Sequence, residues 1–148
     1  MSPQIQKKTV GPVEALPHQQ TLDIVVLYTS ADLAGAALER AEELAKGMNL
    51  RVRLVCAQIV PYALPIDEPQ IRLEHLKNEL EKVADTSGLE IQGEIVLARE
   101  MQTALRSALK PGSLVVLASH RRFWRTKEES LRNECIKAGH EVVLCYAR

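Results

Sequence analysis

A chain of 148 residues with 46% hydrophobic and 26% charged side chains has the size and composition of one well-buried soluble domain and is short for two. Nineteen basic and nineteen acidic residues cancel, so bulk charge specifies neither a nucleic-acid coat nor a membrane-adsorbed surface, and a charge-driven partner must be met by a local patch. Cys56, Cys135 and Cys145 show no CxxC or Cys/His ligand spacing and fall within apolar patterns, which reads as small core residues in a reducing, cytoplasmic compartment. No apolar run approaches the ~20 residues of a bilayer span, and no secretory leader pattern is visible, so direct membrane insertion is not expected.

Residues 1–20 carry three of the seven prolines and no sustained period, which predicts a flexible tail ahead of a single domain over 21–148. A regular alternation follows. "LDIVVLY" (22–28) is a continuous apolar run of strand length, the pattern of a strand covered on both faces. Leu33, Ala34, Ala37, Leu38, Ala41, Leu44, Ala45 and Met48 then repeat at helical spacing, with Ser30 as N-cap and Gly47 near the stop. "LRVRLVCAQIV" (50–60) predicts a second strand. After a turn-rich stretch, Pro69 stands at the first turn of a helix whose stripe is Leu73, Leu76, Leu80, Val83 and Ala84.

"LEIQGEIVLA" (89–98) predicts a third strand, and Met101, Ala104, Leu105, Ala108 and Leu109 a third helix halted by Pro111-Gly112. "SLVVLAS" (113–119) predicts a fourth strand. Thr126 and Glu129 match a capping box, opening a helix with Leu131, Cys135 and Ala138 inward and Gly139 at its end. "EVVLCYA" (141–147) predicts a fifth strand. Five strands alternating with four helices imply an α/β three-layer αβα sandwich around a parallel sheet. In such sheets ligands bind beyond the carboxyl ends of the strands, where the strand order reverses.

All five aromatic residues fall on that rim. Tyr28 ends the first strand, Tyr62 follows the second, Phe123 and Trp124 follow the fourth, and Tyr146 lies near the end of the fifth. Phe123 and Trp124 are flanked by Arg121, Arg122 and Arg125 in "LASHRRFWRT" (117–126). Such a set can stack on a ligand, bind an anion or meet a protein partner, or it can cap the sheet end while the arginines snorkel around the rings. Adjacent large rings in a loop cannot easily both point inward, and exposed rings signal contact with something.

Over roughly residues 21–147 the order and lengths of these elements, with "VVLASH" and its following loop as the sharpest point, resemble the universal stress protein family. The resemblance implies an adenine nucleotide alpha hydrolase-like sheet of order 3-2-1-4-5, a switch point between strands one and four, and a homodimer through strand five (Val142, Val143, Leu144, Cys145, Tyr146). Family members that bind ATP carry a Gly-x2-Gly-x9-Gly-(Ser/Thr) pattern whose glycines let backbone N–H groups approach the phosphates. Here Ala118 and Arg121 stand at the first two glycine positions, and the loop is about three residues shorter. Glu128 and Glu129 fall near the third glycine and its hydroxyl partner. The strand-one acid of ATP-binding members is absent from Tyr28-Thr29-Ser30, and only Ser119 and His120 match. ATP in the family's manner is therefore not expected, and no cofactor is implied.

Other chemistry is thinly supported. Ser119 and His120 are adjacent, without a nucleophile elbow or an orienting acid, so a polar strand end is the better account. His18, His75 and His140 lack metal-ligand spacing. Asp67 and Glu68 precede Pro69, where they favour a helix N-terminus or could close over Arg121 and Arg122. "RLEHLKNELEK" (72–82) has the mixed charge of a solvated helix face.

The expected function is a non-catalytic sensing or regulatory interaction module. Its contact surface comprises Tyr28, Thr29, Ser30, Tyr62, Ser119, His120, Arg121, Arg122, Phe123, Trp124 and Arg125, and its partner is a protein, of which a membrane transport protein is one class implied by analogy. The alternative is a small-molecule or nucleotide binder, or a weak nucleotide-processing enzyme, gripping an anion with Arg121, Arg122 and Arg125 at the switch point. Nucleic acid is a weak third choice for a neutral chain with one short basic patch.

Overall fold

The structure is a computed structural model that describes the backbone of residues 5–10 and residues 23–46, 51–60, 62–63, 73–87, 90–121 and 126–147. In chain order the elements are β1 (Ile5–Val10), β2 (Asp23–Leu27), α1 (Ala31–Ala45), β3 (Arg51–Ile59), α2 (Leu73–Asp85), β4 (Ile91–Ala98), α3 (Met101–Ala108), β5 (Leu114–His120), α4 (Lys127–Lys137) and β6 (Glu141–Ala147). They form one sheet of order β1-β4-β3-β2-β5-β6. From β4 to β6 every pairing is parallel, which is the five-stranded 3-2-1-4-5 arrangement expected from the apolar runs.

The central strands are apolar on both sides because both sides are covered. Ile24, Val26, Leu54 and Val116 pack under Leu33, Ala37 and Ala41 of α1 and Leu76 and Leu80 of α2. Val25, Leu27, Val55, Val115 and Leu117 pack on the opposite face against Ala104, Leu105 and Ala108 of α3 and Cys135 of α4. Each such Val, Leu or Ile contributes roughly 1.5–3 kcal/mol of transfer free energy.

Local signals close the elements. Ser30 accepts the Leu33 N–H at the start of α1. The turn after α3 runs Lys110-Pro111-Gly112-Ser113, closed by Ser113 N–H to the Lys110 carbonyl at 3.1 Å, with Gly112 at φ +79°. A type II turn needs that positive φ, and glycine supplies it without strain. Helix α4 ends in a Schellman arrangement: His140 N–H donates to the Cys135 carbonyl and Gly139 N–H to that of Ile136, with Gly139 at φ +91°.

Two expectations need correction. Residues 5–10 are not part of a tail; they pair antiparallel with β4, from Ile5 opposite Ala98 to Val10 opposite Gly93. Without that strand, β4 would present a row of unpaired backbone groups. Ala138 is exposed at the C-cap of α4 rather than inward, and Cys135 is the buried residue of that helix. Gly47, Met48, Asp67, Glu68 and Pro69 lie outside the described residues.

The second face also holds a buried charge set at the amino end of the sheet. Arg53 of β3 pairs with Glu94 of β4, stands 3.8 Å from Asp23 of β2, and donates to the Ala108 carbonyl at the end of α3 at 3.0 Å. Lys110, mostly exposed, reaches Asp23 at 3.7 Å. Arg53→Met leaves the buried Glu94 carboxylate without a counter-charge and Asp23 with only the solvated Lys110, and is expected to lower the unfolding free energy by about 3–5 kcal/mol. Lys110→Met, at the solvated end of the set, should cost at most about 1 kcal/mol. Equilibrium urea unfolding of the two variants checks the contrast.

Candidate functional site

The carboxyl ends of the strands divide into two clusters. At the β5–β6 end the polar groups are used internally. Ser119, expected on the contact surface, is fully buried. Its hydroxyl lies 2.7 Å from that of Thr126 and donates to the His120 carbonyl at 3.2 Å, so it makes no pair with the exposed His120 imidazole. Thr126 in turn builds the capping box predicted from its spacing. Its hydroxyl accepts the Glu129 N–H at 3.1 Å, and the Glu129 carboxylate accepts the Thr126 N–H at 2.9 Å. The N-terminus of α4, positive by virtue of its helix dipole, is thereby occupied by the chain's own carboxylate, with Glu128 in the same turn.

Arg121 is exposed, with its guanidinium 4.8 Å from the centre of the Tyr146 ring. That is a cation–π arrangement tying the end of β5 to the end of β6. Arg122, Phe123, Trp124 and Arg125 lie outside the described residues. Tyr62 forms a separate group. It is 71% exposed, its hydroxyl donates to Glu100 at 3.1 Å, and the Arg99 guanidinium lies 5.5 Å from its ring. The bond to Glu100, followed by that residue's charge, raises the Tyr62 phenol above its usual value.

At the β2–β3 end the rim is open. A cavity of about 790 Å³ is bounded by residues 27–31 after β2, residues 55–59 of β3, Leu76 and Glu79 of α2, Met101 and Leu105 of α3, and Lys127, Ser130, Leu131 and Glu134 of α4. No described residue of β5 lines it. Tyr28 and Thr29 belong to it as the sequence map implied; Glu79, Cys56 and Lys127 were not foreseen. The Tyr28 hydroxyl donates to Glu79 Oε2 at 2.7 Å, and His75 Nε2 lies 3.1 Å from Oε1 of the same carboxylate. Burial, then the bond to Glu79 and its charge, pushes the Tyr28 phenol well above its usual range. Thr29 Oγ1 is buried and has no hydrogen-bond partner.

Burial raises the Cys56 thiol to about 11, with the Glu79 charge adding to the shift and Lys127 opposing it. Both Cys56 and the α4 thiol Cys135 are therefore held as neutral packing groups rather than nucleophiles. Among the described residues no three His, Cys, Asp or Glu side chains are grouped to hold a metal, and no helix is long and apolar enough to cross a membrane. No protein-family profile matches the chain, and no curated protein is similar to it.

The raised thiols give a pH signature. Cys56 and Cys135 titrate at about 11 in the fold against an ordinary 9.0, so between those values the unfolded chain releases protons that the folded chain keeps, and stability falls as pH rises. The contribution is complete below about pH 9. Urea unfolding at pH 8 and pH 10.5 should show this loss, and Cys56→Ala with Cys135→Ala should reduce it.

Proposed function

We propose that this chain is a non-catalytic sensing and interaction module on the universal-stress-like, adenine nucleotide alpha hydrolase-like plan, acting in the cytoplasm as a homodimer and not holding ATP in the family's manner. The observation that carries the reading is the filled N-terminus of α4. In that plan a glycine-rich loop and the following helix start receive the phosphates. Here Thr126 and Glu129 satisfy each other across that helix start, and Glu128 adds a second negative charge. A phosphate brought there would displace a satisfied carboxylate and face another, against the sign that helix N-termini favour.

Strand β6 supports the dimer. It pairs with β5 on one side, and among the described residues no strand covers its other edge. Val142, Val143, Leu144 and Cys145 are half-buried along it and Tyr146 is exposed. An edge with that apolar content is a template for another chain, and a second β6 would cover it symmetrically. The rim carrying His120, Arg121 and Tyr146, continuing into residues 122–125, is then the surface offered to a protein partner, of which a membrane transport protein is one class. Arg121 also favours the competing reading of an anion site, because its guanidinium stacks on Tyr146 while its N–H donors stay available.

Three measurements test these readings. Light scattering should give twice the 16.5 kDa chain mass, and a short bis-maleimide should cross-link the dimer in wild type but not in Cys145→Ala. Mg-ATP should leave the melting temperature unchanged. A saturable rise in that temperature, abolished by Arg121→Ala, would replace the interaction reading with the anion site.

A further inference from the structure

The open cavity at the β2–β3 end carries chemistry that an interaction module with a self-capped α4 does not use. We propose that it is a binding site for a small zwitterion with an apolar body, of amino-acid to dipeptide size. Its volume of about 790 Å³ lies within the range of small-molecule sites, which are mostly apolar with a few placed polar groups. Leu27, Val55, Leu105 and Leu131 supply the apolar wall from both strands and both helices of the second face.

Two opposite charges stand in that wall without meeting. Glu79 accepts from Tyr28 and His75, but an ionised carboxylate has about four lone-pair sites. It therefore keeps room for an ammonium group, with the Tyr28 ring beside it. Lys127 lines the same cavity and makes no ion pair or hydrogen bond among the described residues. Glu79 and Lys127 both act on the Cys56 thiol, with opposite sign, yet they do not form a salt bridge with each other. A ligand carrying both charges would bridge them.

Thr29 also lines the cavity, and its Oγ1, buried without a partner, would reach a ligand carboxylate by a side-chain rotation. Ser30 and Ala31, at the start of α1, also line the cavity. The N–H groups of the first turn that Ser30 does not take are left to a ligand. Asp32 in that turn is exposed and does not line the cavity. The third charged group lining the cavity, Glu134, is bonded by Gln102 at 2.9 Å. Among the described lining residues, two carboxylates against one ammonium disfavour a phosphate ester. A simple amine would leave Lys127 and Thr29 unused. The zwitterion satisfies both poles.

The test is isothermal titration of the full chain with leucine, phenylalanine and leucyl-leucine, set against N-acetyl-leucine, leucinamide, inorganic phosphate and ATP. The zwitterions should bind saturably, and each single-charge derivative should bind ~10-fold or more weakly. In Glu79→Gln the preference for leucine over N-acetyl-leucine should disappear. In Lys127→Met the preference for leucine over leucinamide should disappear. These ratios stay readable even where a substitution lowers stability. The proposal is overturned if no zwitterion binds, if the derivatives bind as well as the zwitterions, or if both preferences survive both substitutions. None of these outcomes depends on whether β6 pairs with a second copy.

Discussion

Strand β2 is covered on both faces, and the rest of the molecule is arranged around that requirement. Ile24, Val25 and Val26 are each wholly buried, a state that the helices on both faces of the sheet provide here. Helices α1 and α2 take one face, while α3 and α4 take the other. The chain therefore leaves β2 toward β3 and leaves β5 toward β6, and the carboxyl ends of these two neighbours diverge. Mid-sheet positions are closed to chemistry because an unpaired polar group there costs about 1–3 kcal/mol. What the fold can offer a ligand or partner is concentrated on the carboxyl rim.

The buried charges respect the same constraint by sitting at the opposite end as one connected set. Replacing such a set entirely by apolar residues is often neutral in stability, so its consequence here is positional. Arg53 lies opposite Gln92 and diagonal to Glu94. A slip of one residue between β3 and β4 would turn the Glu94 carboxylate onto the apolar face of α1 and α2. The bond from Arg53 to the Ala108 carbonyl also fixes where α3 ends. The amino end is thus tied by charge. The carboxyl end is left free to open between α2, α3 and α4.

Most of this was legible in the sequence, for a physical reason. Doubly covered strands have to be written as continuous apolar runs, and "LDIVVLY", "LRVRLVCAQIV" and "SLVVLAS" mark β2, β3 and β5 to within a residue or two. Caps are also local. Ser30, Thr126 with Glu129, Gly112 and Gly139 each act within a few residues of their own position. Strand β1 was not legible, because "IQKKTV" carries the polar composition of an edge and its pairing is with residues about 90 positions away. Arg53 and Glu94 were not singled out, since nothing local reveals a partner 41 residues distant. Glu79 was hidden in the same way within the charged stretch of α2, where its contact with Tyr28 and its place in the cavity wall separate it from the exposed charges of that helix.

The two helix starts on the rim show how a small sequence difference relocates a site. Helix α4 begins T-x-x-E, and its Glu129 brings a full negative charge back onto the first turn. Helix α1 begins S-x-x-L, and its Ser30 satisfies the Leu33 N–H with a neutral hydroxyl. Both devices cap a helix, the first with a carboxylate folded back onto the helix start and the second with a neutral hydroxyl, the acid of the α1 first turn being the exposed Asp32. The cavity at the β2 end is bordered by the start of α1, by Thr29 and by the Lys127 ammonium, which the first turn of α4 supplies. Both signs of charge stand in that cavity, Glu79 from α2 and Lys127 from α4, and the proposed zwitterion site rests on that pair.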